Sequence, residues 1–281
     1  MNPIEIGINP VAINLGPFEL RWYGIMVVLA IVAIIIISLR EAKRRGMPEE
    51  HIYNVALWAI IGGVLVSRLV HVIDRWEYYM AHPEQIIRFE GLAVYGAVIG
   101  VTLAVLIYTR VKKISFWQVG DIIAPGAIMG QAIGRIGCII NGCCYGLMSP
   151  PSWAGAVIYT HNNHRLFGTP VGVPLYPTQI YHVLWNLIAF AVIWQLRRRL
   201  KPQGALFILY LILYAIGDLA IRFVREGESF LFGMQQAQLI GVAMLVVMVP
   251  WFIIKMWRYR TETSILESVS EVNQPEQSQE D

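Results

Sequence analysis

Seven stretches of roughly twenty mostly apolar residues run through this chain, each long enough to cross a bilayer core of about 30 Å. They lie near Leu20–Leu39, Ile52–Ile73, Gly91–Thr109, Trp117–Ile133, Tyr176–Leu196, Gly204–Phe223 and Gln236–Met256. In lipid every backbone N–H and C=O must find a partner within the protein, which leaves helices and closed barrels as spanning structures. Runs of this length and continuity fit helices, so the expected fold is an all-α polytopic membrane protein with about seven transmembrane helices. With 56% hydrophobic and 15% charged side chains over 281 residues, the composition is that of one membrane domain rather than two soluble ones.

Charge patterning orients the spans. Fourteen of the 22 lysines and arginines fall in "REAKRR", "RVKK", "RRRLK" and "KMWRYR", which occupy alternate links. By the positive-inside rule these four links are cytoplasmic, so the N-terminus is expected outside and the C-terminus inside. The basic residues form no continuous face, and the net charge of +3 is explained by topology; no nucleic-acid partner is expected. Residues 1–260 read as a single transmembrane domain. Within it, residues 145–175 carry several prolines and histidines, are too polar to span, and are expected to form a small extracytoplasmic cap. Residues 261–281, polar, acidic and free of aromatics, are expected to be a disordered cytoplasmic tail. The N-terminal stretch has neither the basic start nor the cleavage site of a signal peptide and is expected to be retained. No internal repeat of the kind found in many transporters is visible.

Charges within a bilayer are costly and usually face a protein or water-filled interior, which singles out Arg68, Asp121, Arg135, Asp218, Arg222 and Arg225. For Asp121 the alternative is a hydrogen bond near the cytoplasmic interface. For Arg68 it is an outward-reaching side chain or an ion pair with Asp74 or another acid. Arg135 sits among Gly130, Gly134, Gly137, Gly142 and Gly146. The four-residue spacing of Gly130 and Gly134 favours close helix contact, while Gly137 and Gly142 are expected to weaken a continuous helix and free backbone N–H groups. A guanidinium beside such donors suits a phosphate. Arg222 and Arg225 are three residues apart and share a helix face if the sixth span stays helical. Arginines at the outer ends of two spans suggest a lipid phosphate, with ordinary headgroup contact as the alternative. Tyr23 and Tyr95 lie at the outer starts of the first and third spans, either in the same site or as interfacial anchors. Gly96 and Gly100, after Tyr95, imply close packing or a lipid groove.

Cys138, Cys143 and Cys144 are the only cysteines. They cannot build a disulfide framework, and their spacing does not match the paired C-x-x-C of a zinc site. Adjacent Cα atoms are closer than a disulfide normally requires, so a Cys143–Cys144 bridge would be strained, whereas Cys138 could bridge to either. Small buried packing residues are the common alternative. No ligand cluster or phosphate loop is evident, so neither metal nor cofactor is expected.

"GRIGCIINGCCYG", with "RWYGIM" at the first span, "YGAVIG" at the third, "DIIAPGAIMGQAIGR" leading into the signature, "YPTQIYH" at the fifth and "FVREGE" after the sixth, resembles bacterial prolipoprotein diacylglyceryl transferases in order through nearly all the chain. The resemblance implies transfer of the diacylglyceryl group of phosphatidylglycerol to the lipobox cysteine of a prolipoprotein, forming a thioether and releasing glycerol phosphate. It also implies seven spans in the bacterial cytoplasmic membrane, with the site towards the outer leaflet. By resemblance Arg135 binds phosphatidylglycerol and Arg225 acts in catalysis, and Tyr23, Asn141 and Gly146 match functional positions. Tyr95 stands where much of the family has histidine, Cys138 and Cys143 where it has asparagine and glutamate, and His182 where it commonly has glutamate. A mechanism with a histidine base in the third span therefore does not transfer.

A leaving phosphate gains negative charge as its bond to carbon breaks, and arginines placed there bind the transition state better than the substrate. The expected substrate-binding set is Arg135, Asn141, Gly146 and Arg222; the expected catalytic set is Arg225, Tyr95, His182 and Tyr23, with Tyr95 and His182 as proton handlers. Two other function classes fit some of these features: a transporter of an anionic lipid or solute, and a membrane thiol oxidoreductase.

Overall fold

The computed structural model of the chain describes residues 3–16, 18–86, 93–150, 152–153 and 155–272. Among them are the helices α1 (Trp22–Arg45), α2 (Glu49–Asp74), α3 (Trp76–Ala81), α4 (Val94–Val111), α5 (Phe116–Asn141), α6 (Thr178–Leu196), α7 (Ala205–Arg222) and α8 (Gln236–Val272). All but the short α3 are long and apolar enough to cross a membrane. The chain is an all-α polytopic membrane protein. Its many exposed large apolar side chains, such as Leu65, Val98 and Ile107, are what a lipid-facing surface requires.

Several boundaries differ from the sequence expectation, α1 for instance running on to Arg45 rather than ending near Leu39. The fourth span does not stop near Ile133 but runs to Asn141, so Gly134, Arg135 and Gly137 are helical. Glycine is tolerated in a membrane helix because neighbouring helices and the absence of water support the backbone. The third span starts at Val94, its expected first residues Gly91 and Leu92 lying outside the described residues. The last helix continues past Arg260 to Val272, and residues 273–281 of the expected tail lie outside the described residues.

Contacts divide the chain into two compact units, one of Met1–Ala33 with Ala127–Asp281 and the other of Ile34–Gly126. In the second, α2 and α4 cross at glycines. A Cβ at Gly100 would overlap the carbonyl of Gly62, and one at Gly96 would come within 2.8 Å of the Ser67 Cα. Gly96 and Gly100 thus serve close helix packing, the small-residue mode of membrane helix association. Arg68 neither reaches outward nor pairs with Asp74. Its guanidinium donates to the carbonyls of Gln85 (2.6 Å) and Ile86 (3.1 Å) and to the Tyr79 hydroxyl (3.2 Å), tying α2 to the turn after α3. Asp121 accepts an ion pair from Arg45 (3.3 Å), which also bonds Glu41 (2.9 Å). Both intramembrane charges of this unit are engaged in holding its fold.

In the first unit α6, α7 and α8 pack in sequence. The Trp185 indole of α6 lies flush against Gly217 of α7, where a Cβ would overlap the ring, and donates to the Leu213 carbonyl at 2.8 Å. Strands that no hydropathy pattern announces lie outside the long helices: β1 (Ile4–Ile6), β4 (Val157–Tyr159) and β5 (Pro174–Leu175) form one sheet, called the cap below, with β1 parallel to β4. Two hairpins accompany it, β2 (Val11–Leu15) with β3 (Phe18–Arg21) before α1 and β6 (Ser229–Leu231) with β7 (Met234–Gln235) before α8. Ile6, Val157, Tyr159 and Leu175 form the buried apolar centre of the cap, with Ile139 and Ile180 packed against it from α5 and α6.

His164 plugs this cap into the end of α5. It is fully buried, bonds the Ile140 carbonyl through Nε2 at 3.1 Å and meets the Tyr159 ring edge-on at 4.8 Å. Burial, with a lesser contribution from neighbouring His161, lowers its pKa below the ordinary histidine value. The folded cap therefore favours neutral imidazole, and the unfolded chain binds the extra proton below about pH 6.5. Stability from this site is full above that pH and is lost as pH falls below it. Thermal unfolding of the wild type is expected to shift to lower temperature between about pH 7 and pH 5, with a smaller shift in His164→Gln. Identical pH profiles for the two proteins would refute this role.

Candidate functional site

The unit of residues 1–33 and 127–281 gathers most of the residues expected at the site. Arg135 projects from α5 six residues before its end, half-buried, and interacts electrostatically with Cys138, Cys144, Tyr214 and Asp218. Tyr23, the second residue of α1, shares that field with Arg135 and the three cysteines. Its ring lies against Gly137, where a Cβ would approach the Tyr23 Cδ2 to 3.3 Å. Gly134 has no neighbour within 4 Å of the place its Cβ would take, so the close helix contact expected from the Gly130–Gly134 spacing is not made there. In this part of the helix the close glycine is Gly137, one turn later, against Tyr23 and Met26.

Asn141 ends α5. It is buried, and its Oδ1 has no hydrogen-bond partner among the described residues. Gly142 then reverses the chain at φ +81°, a conformation glycine adopts without Cβ strain. Its carbonyl accepts from Thr169 at 2.8 Å. The following loop is pinned by the first turn of α6, where Thr178 Oγ1 donates to the Cys144 carbonyl (2.9 Å) and Gln179 Nε2 to the Cys143 carbonyl (3.0 Å).

Gly146 and Arg225 form an antiparallel bridge, flanked by hydrogen bonds from Leu147 N to the Val224 carbonyl (2.9 Å) and from Glu226 N to the Tyr145 carbonyl (3.2 Å). A Cβ at Gly146 would overlap the Tyr176 carbonyl and lie 2.9 Å from that of Val224. Only glycine lets the signature loop seat against the segment that carries Arg225. That segment follows the end of α7, so Arg222 and Arg225 do not share a continuous helix face. Arg222 is instead bound to Asp218 through Nε (2.5 Å) and to Gln235 Oε1 through Nη1 (3.2 Å). Gln235 in turn donates to the Arg225 carbonyl at 3.0 Å. Asp218, Arg222 and Gln235 thus form a hydrogen-bonded strut that ends on the Arg225 backbone.

His182 lies buried on α6 with Nε2 3.9 Å from Asp218 Oδ1, beyond hydrogen-bond range, and within the fields of Arg135, Arg225, Arg222 and Cys144. Neither His182 Nε2 nor Asp218 Oδ1 nor Arg225 Nε has a hydrogen-bond partner among the described residues. Among the described residues the only ion pair these three guanidinium groups make is that of Arg222 with Asp218. This balance leaves Arg135 and Arg225 as positive charge for an anion, and their forked donors match phosphate. Tyr95 belongs to the other unit, half-exposed on the first turn of α4.

Sequence reading missed Gln235, Thr178 and Gln179, and it named Asp218 without giving it a part. A signal existed for Asp218, which stands four residues before Arg222 on one helix face. Gln235 had none, because its partners come from outside its own element. The thiols, read as separate packing residues, converge: the Sγ atoms of Cys138, Cys143 and Cys144 all lie within 4.8 Å of one another.

A family model described as prolipoprotein diacylglyceryl transferase matches residues 10–254. The chain is also similar to phosphatidylglycerol–prolipoprotein diacylglyceryl transferases of several bacteria. That of Dehalococcoides mccartyi is 39% identical over 250 residues, covering 89% of this chain and 94% of the relative. That of Lysinibacillus sphaericus is 34% identical over 88% of this chain and 92% of its own. That of Listeria welshimeri is 34% identical over 85% and 87% respectively. The chain accordingly belongs to the prolipoprotein diacylglyceryl transferase family.

Proposed function

We propose that Arg135 and Arg225 hold the phosphate of phosphatidylglycerol while its diacylglyceryl group passes to the lipobox cysteine thiol of a prolipoprotein. The enzyme is a transferase that moves a diacylglyceryl group from phosphatidylglycerol to prolipoprotein. The family assignment decides against the anion transporter and the thiol oxidoreductase. One observation carries the finer reading: two guanidinium groups gather in one unit with no carboxylate of their own among the described residues.

The chemistry follows from the charge. The substrate sulfur forms a bond to the glyceryl carbon as that carbon's bond to the phosphate oxygen breaks. The products are a thioether and glycerol phosphate, and the thiol proton passes to a base. Charge on the phosphate grows along this path, so a guanidinium fixed against it stabilises the transition state more than the bound lipid. Arg135 anchors the headgroup, and Arg225, held by the Gly146 bridge and the Gln235 bond, meets the leaving oxygen. Arg222, expected among the substrate-binding residues, is bound to Asp218 and Gln235 and serves by holding Arg225 in place. Asn141 and Tyr23 complete the headgroup site.

An unperturbed thiol is only a few per cent ionised at neutral pH, so a proton acceptor speeds the step. His182 is the proposed acceptor, since its buried Nε2 has no hydrogen-bond partner among the described residues and is free to take a proton. Tyr95 remains the second proposed proton handler. The site opens to the outer leaflet of the cytoplasmic membrane, with the N-terminus outside, in keeping with the four basic links.

Glycerol phosphate release from phosphatidylglycerol with a lipobox peptide tests these roles. Arg135→Ala is expected to lower kcat/KM by about 100-fold or more, and full activity would refute the anchor. His182→Gln is expected to change the pH dependence of kcat/KM, and an unchanged profile would remove His182 as the base. A reporter that fluoresces only in the cytoplasm is expected to be bright when fused after residue 264; a dark fusion would reverse the topology.

A further inference from the structure

The transfer reaction uses a thiol carried by its substrate, which leaves the enzyme's own three unassigned. Cys138 lies on the last turn of α5, and Cys143 and Cys144 lie in the loop that folds back after Gly142. Cys144 itself takes φ +63°, a left-handed conformation that non-glycine residues seldom hold unless their surroundings impose it. Here the surroundings do, through the Thr178 and Gln179 bonds to the carbonyls of Cys144 and Cys143. All three are free thiols, one buried and two half-buried, with every Sγ within 4.8 Å of the other two. This is a held arrangement of sulfurs, not three packing residues that happen to be near.

Its dimensions are those of a coordination site. Three sulfurs bound at about 2.3 Å to a common cation stand at the corners of a triangle with edges of roughly 4 Å. The observed separations reach that figure with shifts of under about 1 Å. Thiolates are soft donors and select thiophilic cations over calcium or magnesium. Three thiolates and a divalent cation leave one negative charge, and the guanidinium groups of Arg225 and Arg135 lie close enough to Cys144 to act on it electrostatically.

We propose that Cys138, Cys143 and Cys144 form a three-thiolate site for a thiophilic divalent cation, set beside the phosphate-binding arginines so that the bound cation inhibits transfer. As the three sulfur–metal bonds form, the thiols release their protons to water, and no group changes oxidation state. The complex then competes, through its negative charge, for the arginines that hold the phosphate. Metal binding stands independently of the proposed function, whereas the inhibition rests on it.

The test uses the full chain in detergent, kept reduced by a phosphine, and Cd2+ as the probe. Sulfur-to-cadmium ultraviolet absorption is titrated against a competing chelator, and bound cadmium is counted per chain. One Cd2+ per wild-type chain is expected, with affinity at least ~10-fold weaker in each of Cys138→Ser, Cys143→Ser and Cys144→Ser, equivalent to about 1.4 kcal/mol or more. Melting temperature in the absence of metal identifies any variant that fails to fold. Cys143→Ala and Cys144→Ala in the loop give a second measure that does not depend on altering α5. Absence of the absorption in reduced wild type, or unchanged affinity in the folded variants, would overturn the site. Glycerol phosphate release is then followed with and without Cd2+. Binding without inhibition would overturn the switch alone, while a wild type that binds Cd2+ but never transfers lipid would count against the proposed function and leave the site intact.

Discussion

Among the described residues, the guanidinium groups of Arg135 and Arg225 have no carboxylate partner, and this is the constraint on which the rest of the site turns. Such a charge is expensive in a low-dielectric setting, and chains normally neutralise it. The unit of residues 34–126 does so: Arg45 has Glu41 and Asp121, and Arg68 is bound to backbone carbonyls and a tyrosine hydroxyl. The other unit does not. There Asp218 is bonded to Arg222, and among the described residues no ion pair joins Arg135 or Arg225 to a carboxylate. In the proposed function this charge is matched to an anionic substrate whose charge increases as it reacts.

Keeping such a site open requires supports that do not themselves neutralise it. The Gly146–Arg225 bridge holds the Arg225 segment by backbone hydrogen bonds, which leave its side chain uncommitted. Gln235 continues the support through the Arg225 carbonyl rather than its guanidinium. On the other side Gly142 turns the chain at the end of α5 and His164 caps that turn, so Arg135 projects from a helix whose end is fixed. The result is preorganisation: donors are oriented before substrate arrives, and little reorganisation is required when charge develops.

Much of this was legible in the sequence, because hydropathy and charge act locally. The seven spans are readable from run length alone, and intramembrane charge, glycine and tyrosine positions point to Arg135, Arg225, Gly146 and Tyr23, with Asn141 and His182 added by the resemblance. What was not legible depends on residues far apart in the chain. Pairing of β1 with β4 joins segments about 150 residues apart, and three-residue strands carry no periodic signal of their own. Gly137 and Gly142 suggest an interrupted helix, but in a membrane setting α5 continues through Gly137 to Asn141 and ends only before Gly142. Arg222 looked like a ligand-binding group until Asp218 and Gln235 were seen to occupy it. The proximity of the three thiols followed from a left-handed residue at Cys144, which no local rule for cysteine would anticipate.

The account reduces to where the lipid phosphate sits, and the most direct measurement is an experimental structure of the enzyme in a phosphatidylglycerol bilayer disc at a resolution that defines headgroups. The account predicts phosphate density within hydrogen-bonding distance, about 3 Å, of both the Arg135 and Arg225 guanidinium groups. A phosphatidylglycerol headgroup bound elsewhere in the enzyme, with these two arginines turned to other partners, would contradict it.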